Sequence, residues 1–219
     1  MPDGTSVIYV FGEGPTDIGR SSDLEPPHDG VVGVLTHALC GKPPTMLVQR
    51  RRFATLQGKG LWQKVRFAKQ QATRGRSVGA VFVVDSEGGS KELKHKSAQL
   101  HKGRDSYLPE FPMAIGVAHP CIESWLLADA SAIQRALGLT VTPAVPNDPE
   151  TLPAPCKNRT ENPKSKLAQI GGSTKQAPSA EENAQIAREM NDMPLVRARC
   201  PRSFAPFADE VERHIRPLF

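Results

Sequence analysis

Cysteine is scarce in this sequence. Its four cysteines stand apart, and none belongs to a C-x-x-C pair. The chain therefore has neither a zinc knuckle nor the dense cysteine framework of a small secreted domain, and reduced thiols are expected. No apolar run approaches the ~20 residues that a membrane helix needs, and the first six residues contain no basic signal-peptide region. These absences predict a cytoplasmic protein that does not bind membranes.

Two nucleotide-binding motifs are also missing. No G-x-x-x-x-G-K-[ST] sequence is present to form a P-loop, which argues against an NTPase. The G-x-G at residues 12–14 is a weak signal, because a dinucleotide-binding loop needs glycine where this chain has Asp17 and does not tolerate an acid against a pyrophosphate.

The composition is that of a globular protein. The 219 residues are 38% hydrophobic and 23% charged, and 20 prolines with 18 glycines predict long irregular connections. Charge is unevenly distributed along the chain. Residues 50–104 contain 14 Lys or Arg against 3 acidic residues, a local balance of +11 that leaves −6 for the rest of a chain whose net charge is +5. A solvated helix face explains part of this basic segment, but such asymmetry is typical of a surface that contacts phosphates.

Hydrophobic periodicity predicts strands alternating with helices. The order β-α-β-α-β-α-β-α favours an α/β fold with a mostly parallel four-stranded sheet covered on both faces. We predict strands at residues 6–12, 45–49, 78–84 and 113–118, and helices at residues 31–39, 61–75, 91–102 and 121–137, the last with a break. Further helices are predicted at residues 164–170, 179–190 and 203–215.

These elements suggest three parts. Residues 1–139 form an α/β domain, residues 140–162 are a loop or linker rich in Pro, Asn and Thr, and residues 163–219 form a helical extension that packs on the same domain. The helices from Ser179 onward are a surface for a partner protein or a second copy of the chain, and no sequence feature decides between them.

Acidic residues follow two of the predicted strands. Glu13 and Asp17 follow the first strand, and Asp85 and Glu87 follow the third. Ligands of open parallel sheets bind at the carboxyl ends of strands, and clustered carboxylates repel one another unless a cation lies among them. Hard divalent cations prefer oxygen ligands, so this pattern predicts a Mg²⁺ or Mn²⁺ site.

The glycine-flanked Glu13, the acid at position 17 and the acid-x-acid pair Asp85-x-Glu87 resemble the TOPRIM domain of topoisomerases, primases and overcoming-lysogenization-defect type nucleases. The resemblance implies a TOPRIM or Rossmann-like fold in which Glu13, Asp85 and Glu87 bind metal and act in catalysis, with Asp17 as a further metal ligand. The chain departs from the pattern at Glu87, where Asp is usual.

Two later segments, HPCIESWLLAD at residues 119–129 and CPRSF at residues 200–204, resemble an uncharacterised bacterial family of small stand-alone TOPRIM-related proteins. Glu123 lies within the first segment, where a carboxylate supports either a metal or a helix N-terminus. In the sequence Asn-Pro-Lys-Ser-Lys at residues 162–166, Lys164 and Lys166 are candidates for stabilising charge on a phosphate, and we expect Lys166 to act in catalysis. Candidate nucleic-acid contacts are Arg50, Arg51, Arg52, Lys91, Lys94 and Lys96.

We therefore predict a Mg²⁺- or Mn²⁺-dependent nuclease that cleaves phosphodiester bonds of DNA or RNA. Among TOPRIM chemistries, topoisomerase is disfavoured because the chain has only two tyrosines, and primase because it has no zinc module. The alternative is a non-catalytic metal-binding or nucleic-acid-binding module, or an effector of a toxin or phage-defence system, as the resemblance to relatives of this fold suggests.

Overall fold

A computed structural model describes residues 6–22, 25–52, 55–172 and 178–219, with backbone alone for residues 15 and 19–29. The strands are β1 Ser6–Gly12, β2 Gly19–Ser22, β3 Glu25–Asp29, β4 Met46–Arg52, β5 Gly79–Asp85 and β6 Met113–Ala118. The helices are α1 Pro15–Ile18, α2 Val31–Leu39, α3 Leu61–Arg74, α4 Ser90–Asp105, α5 Glu123–Leu127, α6 Ala130–Leu137, α7 Pro163–Ile170, α8 Ala180–Glu189, α9 Met193–Arg199 and α10 Phe204–His214. Short 3-10 helices lie at Pro149–Thr151 and Arg216–Leu218.

The main sheet has four parallel strands in the order β4-β1-β5-β6. All residues of β5 and β6 are buried, as are the last six residues of β1. Strands buried on both faces must be apolar throughout, which is why these segments are continuous hydrophobic runs. The predicted α/β fold, with a parallel four-stranded sheet between helices and a C-terminal helical part, is confirmed.

Helices cover the two faces of the sheet unequally. One face packs against α3 and α4 through a small core that includes Phe11, Val65, Phe82 and Leu100. The other face packs against a thicker layer that contains α2, α5, α6, α8 and α10. Trp125 lies within that layer. Its ring is stacked on that of Phe207, with 5.1 Å between the ring centroids, and is edge-on to that of Phe204, with 5.4 Å between the centroids. The thin layer consists of α3 and α4, which carry many of the Lys and Arg residues of the basic segment, and the thick layer contains most of the core.

Several elements differ from the sequence predictions. The β2–β3 ribbon was not predicted, because β2 is polar and β3 contains two adjacent prolines, which are unfavourable within sheets. Helix α9 was also missed, being a short segment that begins Met-Pro and is capped by Asp192. Strand β4 extends to Arg52 instead of ending at residue 49. Across the described segments, no helix is both long enough and apolar enough to cross a membrane.

Candidate functional site

The predicted acidic residues meet at the carboxyl edge of the sheet, where β1 and β5 end side by side. Gly12 ends β1, and a Cβ atom at this position would lie 2.7 Å from Cβ of Asp17. The absence of a side chain lets α1 fold back over the strand. Asp17 Oδ2 then accepts hydrogen bonds from the backbone N–H groups of Glu13 at 2.8 Å and Gly14 at 3.0 Å.

Three carboxylates, which we call the inner acids, are buried around the end of β5: Asp17, Asp85 and Glu123. Their exposed fractions are 7%, 8% and 2%. Asp85 is the last residue of β5, and its Oδ1 accepts a hydrogen bond from the backbone N–H of Ile122 at 2.9 Å. That bond joins the end of β5 to the turn before α5, whose first residue is Glu123.

Burial and mutual repulsion make Asp17 and Asp85 hard to ionise. Burial, with repulsion from Glu123, raises the pKa of Asp17 to about 6 in spite of its two backbone hydrogen bonds. Burial and the nearby charges of Asp17 and Glu123 raise the pKa of Asp85 well above its ordinary value. The three carboxylates are therefore close enough to compete for one compensating charge.

Glu123 has an unusual local environment. Its Oε2 atom is buried and has no hydrogen-bond partner among the residues that the structure describes. Leaving a buried polar atom unpaired costs about 1–3 kcal/mol, and more for a charged group. The helix N-terminus at Glu123 accounts for the presence of an acid but not for an unpaired buried oxygen. Such an atom is the feature expected where an external ligand completes the site.

Lys164 supplies the one cation that faces the inner acids among the described side chains. Its Nζ lies 3.9 Å from Asp85 Oδ2. Although burial favours the neutral amine, the charges of Glu123 and Asp85 outweigh it and raise the pKa of Lys164. Asn162 fixes this position, because its side chain caps α7 by accepting a hydrogen bond from Ser165 N.

Lys166, the lysine that we expected to act in catalysis, is placed differently. Its Nζ lies 2.7 Å from Glu161 Oε2, and no contact with an inner acid is found for it within the described chain. Residues two apart on a helix do not share a face, so only one of the two lysines can point to the acids. The structure therefore brings Lys164 to the site, and not Lys166.

Two further carboxylates, which we call the rim acids, lie outside the inner acids: Glu13 and Glu87. Burial and the charge of Glu87 raise the pKa of Glu13 to about 7, with Lys96 opposing the shift. The Glu87 side chain is 64% exposed, and its Oε2 lies 3.5 Å from Lys96 Nζ. Lys96 also donates to the backbone carbonyl of Asp85 at 2.6 Å, so it ties the rim to the end of β5.

The acid-x-acid pair therefore divides between the two groups. Ser86, between the two acids, is buried and hydrogen-bonded to His119 Nδ1 at 2.9 Å. Glu87 then adopts a left-handed conformation with φ of 56° and turns outward. Non-glycine residues in this region cost roughly 1–2 kcal/mol, and such strain is often found at functional sites.

The rim acids border a cleft of about 500 Å³ between the start of α3 and α4. Besides Glu13 and Glu87, the cleft is lined by Gly60, Leu61, Lys64, Val84, His95, Lys96 and Gln99. Within the described residues, no three His, Cys, Asp or Glu side chains are arranged closely enough to form a ready-made metal site. The donor set still suits a hard divalent cation, which needs only one or two carboxylates beside water and phosphate oxygens.

The predicted nucleic-acid contacts are dispersed. Arg52 ends β4 opposite Gly12 and thus next to the start of the site, whereas Arg51 lies on the ring of Tyr9 at 5.0 Å. Arg50 pairs with Val10 in the strand register. Of the three lysines on α4, Lys96 reaches the rim acids; Lys91 is exposed, and Lys94 lines a separate groove beside α10.

The two late sequence segments pack against each other. The indole N–H of Trp125 donates to Ser203 Oγ at 2.7 Å, and Ser203 donates to the buried carboxylate of Glu150. Arg202 also binds Glu150 through its backbone N–H at 2.8 Å. Glu150 was missed in the sequence, since a lone acid in a Pro-rich loop gives no signal of burial. This network fixes α5 and therefore positions Glu123.

Comparison with known proteins gives one result. Residues 13–212 match the family described as "Domain of unknown function (DUF4276)", and because the match spans most of the chain, the protein belongs to that family. No curated protein and no solved structure matched the chain significantly.

Proposed function

We propose that this family member is a metal-dependent phosphodiesterase that cleaves nucleic acid, with the inner acids and Lys164 at its centre. The observation that carries the proposal is the buried Oε2 of Glu123, which has no hydrogen-bond partner within the described residues, beside the carboxylates of Asp85 and Asp17. Three acids in one buried place cost stability, and Lys164 supplies only one compensating charge beside them. The resemblance to TOPRIM nucleases supports the same reading.

The environment of each site residue suggests a different role for it in cleavage. Asp85 and Glu123 would hold a Mg²⁺ or Mn²⁺ ion beside Asp17, and the ion when bound would neutralise charge on the phosphate being cleaved. Lys164 presents a fixed positive charge beside the same carboxylates and would stabilise negative charge on phosphate oxygens. Glu13 has a pKa of about 7, which suits proton transfer at neutral pH.

The basic layer supports nucleic acid as the substrate. From residue 50 to residue 84 the chain has nine Lys or Arg and no Asp or Glu. Lys64 and Lys96 line the cleft that leads to Glu13. Cations on both walls of this cleft would hold the backbone while the acids act on one phosphate.

The direct test is cleavage by the purified protein of supercoiled plasmid, single-stranded DNA, structured RNA and tRNA with Mg²⁺ or Mn²⁺. We expect cleavage of at least one substrate, lost with chelator and in Asp85→Asn and Glu13→Gln. Glu161→Gln is the matched control, because it removes the same charge from an exposed acid outside the site, and it should cleave normally.

Two outcomes would contradict the proposal. Cleavage that survives Asp85→Asn would show that the chemistry lies elsewhere. Metal-dependent binding without cleavage of any substrate would replace the enzyme with a non-catalytic binding module, such as an effector of a defence or toxin system.

A further inference from the structure

A second pocket lies next to the acidic cleft, along the loop before α3 and the adjacent face of that helix. It has a volume of about 630 Å³, within the range of about 300–1,000 Å³ that is usual for small-molecule sites. Its lining residues are Gln57, Gly58, Lys59, Gln63, Arg66, Phe67, Gln70 and Tyr107. No acid is among them.

The chemistry of this lining is specific. Phe67 and Tyr107 provide two aromatic surfaces, and Arg66 lies 5.7 Å from the Tyr107 ring. Glutamine amides both donate and accept hydrogen bonds, as the edges of nucleobases do. Aromatic and guanidinium planes with hydrogen-bonding side chains are the means by which proteins hold unstacked bases.

The pocket is held in shape by buried contacts. Lys69 is fully buried and donates to three carbonyls, those of Arg104 at 2.6 Å, Tyr107 at 3.0 Å and Leu108 at 2.8 Å. These bonds fix the turn after α4 that carries the Tyr107 wall. On the opposite side, Gln63 Oε1 accepts hydrogen bonds from Lys59 N and Gly60 N and fixes the loop before α3.

The pocket also adjoins the acidic cleft. Lys59 and Gln63 line the pocket, while their chain neighbours Gly60 and Lys64 line the cleft that contains Glu13 and Glu87. The first turn of α3 thus forms the wall between the pocket and the cleft. A base in the pocket would therefore bring a neighbouring phosphate of the same strand toward the rim acids.

We infer that this pocket binds an unstacked nucleobase of a single-stranded nucleic acid whose backbone continues into the acidic cleft. The inference rests on the proposed function and adds to it the substrate class. Duplex is excluded as the preferred ligand, because its bases are stacked and paired and cannot enter a lateral pocket without being flipped out.

The test is binding of a fluorescent 12-nucleotide single strand, measured by anisotropy with the full chain and no divalent metal. The matched probe is a strand of equal length whose bases are replaced by abasic sites, so that only the phosphates and sugars remain. We expect the base-containing strand to bind about 5- to 150-fold more tightly than the abasic strand, from the usual contribution of one stacked base.

Substitutions of the pocket residues test whether the preference for the base-containing strand arises in this pocket. Phe67→Leu and Tyr107→Leu should weaken binding of the base-containing strand toward that of the abasic strand and leave the abasic strand unaffected. Lys91→Gln, on the exposed side of α4, should affect both strands equally. Melting temperature checks the fold of each variant, and if both aromatic variants are unfolded, the exposed Gln57→Ala should still lower the ratio severalfold.

Equal binding of the two strands, or tighter binding of a duplex of the same sequence, would overturn the inference. Displacement of the strand by a free mononucleotide at a matching nucleotide concentration would overturn the strand assignment in favour of a nucleotide site. The binding result is independent of cleavage. A base-dependent ratio without cleavage refutes only the proposed function, and cleavage without base dependence refutes only the pocket.

Discussion

Asp17 and Asp85 each lie within four residues of a rim acid in sequence, yet the inner acids and the rim acids are in different physical situations. Asp17, Asp85 and Glu123 are buried, repel one another and have Lys164 beside them. Of the rim acids, Glu87 is mostly exposed and pairs with Lys96, while Glu13 is partly buried. The inner acids are thus costly to keep without a ligand, whereas the exposed Glu87 is solvated and stable without one. The difference teaches that sequence spacing alone does not define one acidic site.

The largest expected effect is a difference in cleavage rate between a variant of an inner acid and a variant of a rim acid. Glu123→Gln should lower the metal-dependent rate by about 10²–10³-fold, since metal and charge stabilisation contribute several kcal/mol to the transition state. Glu87→Gln should lower it by about tenfold or less. The measurement is the initial rate at saturating Mg²⁺. Equal losses in the two variants would mean that inner and rim acids form one site.

The next effect concerns pH and stability. Asp17, Asp85 and Glu13 have pKa values raised in the folded state, so the folded protein binds their protons more tightly than the unfolded chain. Their contribution to stability is fully present below the unfolded values near 4 and is lost as pH rises through the folded values, which are about 6 for Asp17 and about 7 for Glu13. For Asp17 alone we expect a loss on the order of 1–2 kcal/mol between pH 5 and pH 8.

Urea unfolding of the metal-free protein at the two pH values would measure this loss. Asp17→Asn should flatten the dependence, while the charge-matched control Glu161→Gln should keep it. Saturating Mg²⁺ should restore stability at pH 8. If the metal-free protein were more stable at pH 8 than at pH 5, the pKa values of Asp17 and Asp85 would not be raised by burial as we describe.

A matched pair of lysines tests which cation serves the inner acids. Lys164→Met should cost about 1–2 kcal/mol of unfolding free energy at pH 8, because it leaves buried carboxylates without a partner. Lys166→Met should cost less than about 0.5 kcal/mol, since its pair with Glu161 is exposed. Denaturant titration of both variants would measure the two losses of unfolding free energy. A larger loss for Lys166→Met than for Lys164→Met would mean that Lys166 is the cation that serves the inner acids.

The smallest effect isolates the backbone strain at Glu87. Glu87→Gly and Glu87→Ala both remove the carboxylate, but only glycine adopts a φ of 56° without strain. We expect the glycine variant to be more stable than the alanine variant by about 1 kcal/mol. Thermal unfolding of the two would measure it. An alanine variant of equal or greater stability would show that the turn carries no strain.

Much of the fold could be predicted because local signals agreed with the tertiary structure. Helix α2 and strand β6 have the predicted bounds, and Ser179 caps α8 with Glu182 as its S-x-x-E spacing indicates. The placement of Glu13 and Asp85 at one sheet edge follows from the parallel order of strands. These features depend on short-range pattern and on a general rule of parallel sheets.

Other parts depended on facts that the sequence does not contain. The choice between Lys164 and Lys166 depends on the rotation of α7, which Asn162 sets through its cap. The outward turn of Glu87 depends on a φ value that sequence normally signals with glycine. Burial of Glu123 depends on residues 80 positions away, around Ser203, because they hold α5 in place.

That last contact sets an order of events during synthesis. The four strands of the main sheet are complete once residue 118 has been made, but the bond from Trp125 to Ser203 cannot form until residue 203 has been made. Domains fold as the chain emerges from the ribosome, so the sheet can form well before Glu123 is fixed. Chains that terminate before residue 203 would therefore have the complete sheet but lack the contact that fixes α5 and Glu123.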